Sequence, residues 1–513
     1  MDDRKKDDQL QGASEVPQPI YETVPVGGGQ QVQEQPTMQP EEISSNVQAT
    51  DQEDFTQIQP EIAPIDVEPP RPSSSGQNNK LSQLSIVIGG GAIFILVFIM
   101  IFALLAGQGK KKPPVEKQIV LNYWGLWEEK EVLDPLIKEY QKAHPNITVT
   151  YEKKTEQDYR QKLITWIKKG QGPDIYRFHN TWIPEIQEIV SPLPESVMSV
   201  ADFEKTFYPI FTKDLKFGSK VYGMPLMIDG LVMIVNEDLL KKAGISSIPS
   251  NWDDMIAAAN QMTVKEKNNR IITAGFAAGT ASNVAHFSNI FGLMLLLNGG
   301  DLTKLDKPEA IGTLQAYRAF AEEPNNVWSE EMPNSIAAFT EGKVAIIFAP
   351  SWEIHTIRTN APDLKIAVAP IPSPPGGKQF SLATYWVEGV SNKSHNQLEA
   401  WKFLAFLASK ESETKLYEIQ SSVRTFGAAY SRIDLSELLI QDQYLGPVIK
   451  QAAEDRYVSL PLMVNTFDGG LNDEIVRYLE NAINGASQGV SYDEAMKTAK
   501  SGIDQVLLRY KIQ

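Results

Sequence analysis

The feature that most constrains this chain is an uncharged apolar run, LSIVIGGGAIFILVFIMIFALLA, from Leu84 to Ala106. Its 23 residues at 1.5 Å per residue are enough for a helix to cross the roughly 30 Å hydrocarbon layer. Buried core helices rarely avoid every charge for so long, and a cleaved signal would be shorter, nearer the N-terminus and followed by a small-residue cleavage site. The run therefore predicts one transmembrane helix over 84–106. It divides the 513-residue chain into an N-terminal tail and a large C-terminal part.

The two parts differ in composition. Residues 1–80 hold 15 Asp/Glu and 5 Lys/Arg, so most of the net charge of −16 lies there. This segment is rich in Gln, Pro, Ser and Glu and lacks both the 3.6 and the 2.0 hydrophobic period. Such a composition cannot bury enough apolar area to offset chain entropy, and 1–80 reads as a disordered acidic tail. Residues 107–118, GQGKKKPPVEKQ, read as a linker. The chain has no cysteine, which excludes disulfides, thiolate nucleophiles and thiolate metal sites. A pI near 5.0 argues against a phosphate-binding face and hence against nucleic acid as a partner.

From Ile119 the pattern is strand, helix, strand, helix, strand. ITVTYEK and PDIYRF are the later strands, and DYRQKLITWIKKGQ is the second helix. That order predicts a parallel sheet with helices on its faces and a ligand site beyond the carboxyl ends of its strands. The loops there carry Trp124, Trp127 and Glu128 after the first strand. Arg177, His179, Asn180 and Trp182 follow the third. Indole faces stack on the apolar faces of sugars, while carboxylates, amides and guanidinium satisfy hydroxyls, so the mixture reads as a polyol pocket.

KVYGMPLMIDGLVMIV breaks a strand-like run at Asp229-Gly230, which suits a bend, and the Asp229 carboxylate suits vicinal hydroxyls. GKVAIIFAPSW delivers Ser351, Trp352 and Glu353 to the carboxyl end of a buried strand. FSLATYWVEGV offers Thr384, Tyr385 and Trp386. Arg424 in SVRTF and Asp468 in NTFDGG complete the candidate ligand-binding set. Asn236 and Asn251 read as helix caps, Trp252 as packing, and Trp401 and Phe403 as core.

Four segments in order, Gly172-Pro173-Asp174-Ile175, the run from Lys220, PSNWDDMIAAANQMT from Pro249 and FTEGKVAIIFAPSWEI from Phe339, resemble the signatures of the family 1 extracellular solute-binding proteins. That family includes the maltose-binding proteins of ATP-binding cassette (ABC) importers, and the resemblance extends from about Ile119 to the C-terminus. It implies an α/β fold of the two-lobed periplasmic-binding-protein-like (type II) clamp, with lobe 1 over 119–228 plus 388–446 and lobe 2 over 229–387 plus 447–513. It places chain crossings near Met227 to Gly230, Tyr385 to Gly389 and Tyr444 to Lys450, about which a ligand closes the lobes. It also implies a sugar-stacking aromatic at Trp352. Family members often have a Gly-Gly pair where this chain has the bulky Tyr385 and Trp386.

No catalytic residue, metal site or cofactor is nominated by any sequence pattern: GxSxG, HExxH, GxxxxGK[ST] and EF-hand spacings do not occur. The expectation is a non-enzymatic, membrane-anchored extracellular receptor that captures a mono- or oligosaccharide and delivers it to an ABC importer. Its binding domain would lie outside the cell and its tail in the cytoplasm. Lys110, Lys111, Lys112 and Lys117 after the apolar run, against Arg71 and Lys80 before it, lean toward the opposite orientation, whereas the resemblance requires the domain outside. The alternatives are a sensory receptor of the same fold, a non-sugar solute, or a glycan-cleaving enzyme.

Overall fold

The computed structural model describes residues 117–512. The tail 1–80, the apolar run 84–106 and most of the linker 107–118 lie outside the described residues. Among the described residues no helix is long and apolar enough to cross a membrane.

Along the chain the strands are β1 (Ile119–Gly125), β2 (Ile147–Lys153), β3 (Ile175–His179), a short hairpin of β4 (Lys216–Phe217) and β5 (Lys220–Val221), and β6 (Met224–Pro225). Then come β7 (Leu231–Asn236), β8 (Val264–Lys265), β9 (Ile271–Phe276), β10 (Val344–Pro350), β11 (Ile366–Ala369), β12 (Ser381–Leu382), β13 (Trp386–Val390) and β14 (Tyr457–Val458). They form two five-stranded sheets, β2-β1-β3-β13-β6 and β11-β7-β10-β9-β8. The first three strands pair in parallel, as their alternation with helices requires, and β13 closes against β3 in the antiparallel sense. In the second sheet β10 pairs antiparallel with β7 and parallel with β9.

Sequence explains which strands lie at the centre. IYRFH, LVMIVN and VAIIFAP are buried at every position, because helices cover both faces and leave no solvated side on which polar residues could alternate. The edge strand β2, ITVTYEK, alternates instead, with Ile147, Val149 and Tyr151 inward. Helix starts follow cap chemistry: Asn236 and Asn251 each accept a backbone N–H three residues on, at 3.0 and 2.9 Å. Trp252 packs edge-on against Phe348, and Trp401 and Phe403 are fully buried.

The chain leaves the first sheet after β6 and enters the second at β7, so residues 226–230 form a crossing. It returns between β12 and β13. Trp386 and Val387, expected in lobe 2, pair with His179 and Phe178 of the first sheet, so the chain enters that sheet two residues earlier than the resemblance implied. The helix Gly446–Ala453 touches both β7 and the helix Pro209–Leu215, and β14 pairs with β12 beside the second crossing. The last two helices, Leu471–Ser487 and Tyr492–Tyr510, pack on the helix Pro308–Arg318 of the second lobe.

Close approach of the helix Trp252–Met262 to β9 depends on Gly275. A Cβ there would lie 1.8 Å from the Ala259 carbonyl oxygen, a backbone atom that no rotamer change can move. Gly275→Ala is expected to lower the unfolding free energy by at least ~2 kcal/mol, read as an earlier urea midpoint. A native midpoint would show that helix and strand are not locked at this contact.

Candidate functional site

The two crossings border a cavity of about 390 Å³ between the sheets. Its walls combine indoles with charged groups that are already matched inside the protein. Trp127, Glu128, Arg177, Asp229, Trp352, Tyr385, Trp386 and Arg424, eight of the twelve residues named from sequence, line it.

Arg177 on β3 is nearly sealed. Its Nε and Nη2 donate to Glu388 Oε1 of β13 at 2.7 and 2.6 Å, and its Nη1 donates to the Leu126 carbonyl at 3.0 Å. Burial alone would lower the guanidinium pKa, but the Glu388 carboxylate together with Tyr123, Tyr151 and Glu128 nearby outweighs it and raises it. Glu128 accepts from Gln420 Nε2 at 2.9 Å and faces Arg424 Nη1 at 3.4 Å. Arg424, at the end of the helix Lys410–Val423, also donates from Nε to the Phe426 carbonyl at 3.0 Å. Glu353 meets His286 Nε2 at 2.9 Å.

Asp229 sits on the first crossing. Its carboxylate accepts from the N–H of Gly230 at 2.7 Å, the N–H of Ser351 at 3.1 Å and the Ser351 hydroxyl at 2.8 Å. The carboxylate thereby joins the crossing to the end of β10. Burial pushes its pKa up to about 6 against those hydrogen bonds.

The aromatic surfaces come from both lobes. Trp127, nearly half exposed, packs at 5.8 Å against Trp386, which also meets His179 and Trp182 edge-on. Trp352 stands across the cleft with 36% of its surface exposed, 6.3 Å from the His286 ring. Phe426 packs at a tilt against His355, with ring centroids 4.1 Å apart, and Phe467 is 68% exposed at the rim.

Four residues named from sequence are placed elsewhere. Trp124 shares the outward register of Val120 and Asn122 on β1, opposite that of Leu121 and Tyr123, and it lines a separate cavity. Asn180 bonds Asp214, Ser459 and the Tyr385 backbone. Trp182 is fully buried with its Nε1 toward Thr466, and Asp468 accepts from Gly470 N–H and the Thr466 hydroxyl. These three support the cleft wall from behind it, because their polar atoms are spent within the protein.

Sequence reasoning missed Asn289 and His355, both lining the cleft. Asn289 Nδ2 and His355 Nδ1 are buried and have no hydrogen-bond partner among the described residues. Burial and the nearby Arg424 lower the His355 pKa to about 4, so its ring is neutral. Periodicity did not mark them: Asn289 sits in the nearly all-buried apolar helix Phe287–Leu297 and His355 in the short helix Glu353–Asn360. The cleft thus offers stacking faces and unsatisfied polar atoms. Among the described residues that line it, Arg177 and Arg424 each face a carboxylate.

The sequence model of bacterial extracellular solute-binding proteins matches residues 124–414. The chain belongs to that family. A protein of Brucella abortus (strain 2308), named only as a binding protein, is 28% identical over 284 residues, 54% of this chain and 68% of its own. The maltotriose-binding protein of Pyrococcus abyssi is 23% identical over 303 residues, 56% of this chain and 61% of its own. Among solved structures, a cyclo/maltodextrin-binding protein with maltotetraose superposes with a TM-score of 0.61 at 18% identity, covering 77% of this chain and 99% of its own. An ABC transporter solute-binding protein of Thermotoga lettingae with α-D-tagatose gives 0.58 at 21%, covering 76% and 99%. These likenesses establish the two-lobed α/β fold.

In this solute-binding protein the raised Asp229 pKa has a consequence for stability. The folded state holds the proton more tightly than the unfolded one, so the contribution is full below pH ~4 and is lost as pH rises through about 6. The stability difference between wild type and Asp229→Asn is expected to fall by up to ~1.4 kcal/mol per pH unit across that window, measured by urea unfolding at pH 4, 5 and 6.5. A difference independent of pH would contradict the buried setting of this carboxylate.

Proposed function

We propose that this protein is an extracellular receptor for an uncharged, hydroxyl-rich ligand, a mono- or oligosaccharide, which it captures by hinge closure and passes to an ABC importer. One observation carries the reading: Arg177 and Arg424 each face a carboxylate within the protein, while indole faces border the cleft and Asn289 Nδ2 and His355 Nδ1 have no hydrogen-bond partner among the described residues. An anionic ligand needs a spare cation or an array of free N–H groups, and the cleft offers neither Arg177 nor Arg424 for that purpose. Sugar hydroxyls, which both donate and accept, suit Asn289 Nδ2, His355 Nδ1 and the remaining lone pairs of Asp229. Trp352 from the second lobe and Trp127 with Trp386 from the first supply stacking faces that come together on closure. Glu128, Tyr385 and Arg424 orient the rim, and Asn180, Trp182 and Asp468 brace it. The relatives that bind maltotriose and maltotetraose are in keeping with this class of ligand.

In the same reading the apolar run Leu84–Ala106 holds the receptor at the membrane, with the binding lobes outside and the acidic tail in the cytoplasm. The ligand leaves unaltered, since the cleft pairs its carboxylates with cations, hydroxyls and amides rather than leaving two of them free to act on a glycosidic bond.

Calorimetric titration of the full chain with neutral oligosaccharides is expected to give saturable heat, and Trp352→Ala to weaken binding about tenfold or more. Binding of an amino acid or a polyamine, with no heat from any neutral sugar, would overturn the assignment.

A further inference from the structure

A second cavity, of about 440 Å³, opens on the first lobe between the end of β1 and the helix Tyr159–Lys168. Trp124 and Trp166 form its apolar side, and Glu152, Lys154 and Gln157 are among its polar groups. It shares no residue with the cleft, yet the two are built on one strand end. Trp124 lines this cavity and Trp127, three residues on, lines the cleft. Tyr159, on its floor, donates a hydrogen bond to the carbonyl of Arg177 at 2.8 Å.

The position of Trp166 requires an explanation. The helix Tyr159–Lys168 buries Tyr159, Arg160, Leu163, Ile164 and Ile167, so its core face is complete without this residue. Trp166 follows Lys162 by four residues on the solvent side and is 48% exposed. Its ring centroid lies 5.7 Å from that of Trp124, with the planes at 59°, so the two indoles make an angled surface rather than a closed stack. Solubility alone would favour a polar residue there.

The polar groups are set beside that surface. Lys154 Nζ lies 4.2 Å from the Trp124 ring centroid and is ion-paired with Glu152. With its charge neutralised, the ammonium is a poor anchor for a lone anion but still carries N–H donors beside a carboxylate acceptor and the Gln157 amide. Two rings in a polar surround are also too small an apolar area for a stable protein partner, which needs ~1,000 Å² or more. An apolar face flanked by a donor, an acceptor and an amide matches a sugar ring. We infer that this cavity is a second carbohydrate subsite, outside the hinge cleft and formed within one lobe. The inference rests on the cleft reading only for its choice of probes.

The test uses the full chain and calorimetric titration with maltotetraose, mannotriose and chitotriose in turn. Trp352→Ala weakens the cleft and Trp166→Ala removes one wall of this cavity, so the second site is read from the part of the residual binding that depends on Trp166. Because Trp166 is half exposed and outside the core, its variant should keep the wild-type thermal midpoint. In the Trp352→Ala background, one of these sugars should show a Trp166-dependent event with a dissociation constant of about millimolar order, as expected for one or two stacked rings. Adding Trp166→Ala should weaken that event about tenfold or more, whereas Trp166→Ala alone should leave the tight event unchanged. The inference is overturned if Trp352→Ala shows no residual binding of any of the three, or if the double variant titrates like Trp352→Ala. The two readings fail separately. A Trp166-dependent event without a Trp352-dependent one removes the cleft assignment alone, and the reverse removes this one alone.

Discussion

The matching of charges within the cleft is the constraint on which the rest of this structure depends. Arg177 and Glu388 come from adjacent strands 211 residues apart in sequence and meet in a region almost free of solvent. Removing either would leave an unpaired buried charge, which costs ~3–5 kcal/mol. Because Arg177 and Arg424 each face a carboxylate within the protein, and Glu353 meets the His286 ring, the cleft makes little electrostatic demand for a charged ligand. What it leaves open are the exposed faces of Trp127 and Trp352 and, among the described residues, partners for Asn289 Nδ2 and His355 Nδ1.

The same economy appears at the crossings. Asp214, on the helix Pro209–Leu215, accepts from the hydroxyls of Tyr385 and Ser459, each at 2.5 Å, and from Asn180 Nδ2 at 3.2 Å. Burial raises the pKa of this carboxylate and the three donors oppose the rise. Tyr385 lies at the second crossing and Ser459 follows β14, so one carboxylate ties together two of the segments that link the lobes. Beside it, His179 joins Thr384 to Thr181 and Asn472 joins Thr181 to Arg160. Burial, with Arg160 nearby, lowers the His179 pKa to about 3, which keeps the ring neutral and able both to donate and to accept in that chain.

Much of this was legible in the sequence where local pattern and position coincide. The break at Asp229-Gly230 marked a bend because a carboxylate and a glycine interrupt a run of strand formers, and the family resemblance made that bend a crossing. Trp352 was legible because a continuous apolar strand must end at a sheet edge, and the next residues face the site. Trp124 was not resolved from Trp127, since strand alternation decides which side of β1 each faces and the strand's end decides where alternation stops. Arg177, Asn180 and Asp468 read equally well as ligand contacts or as wall supports, because their partners are distant in sequence. The apolar run 84–106 is the reverse case: composition alone defines it, and it lies outside the described residues.

The account's central claim is that ligand capture brings the two lobes together. The chain has no cysteine, so a pair can be introduced without background, at Lys138 on the first lobe and Lys365 on the second, both well exposed. Spin-label distance distributions for that pair should shift to shorter values when a binding neutral oligosaccharide is added, and should stay put with a non-binding sugar. A distribution unchanged at saturation would contradict hinge closure.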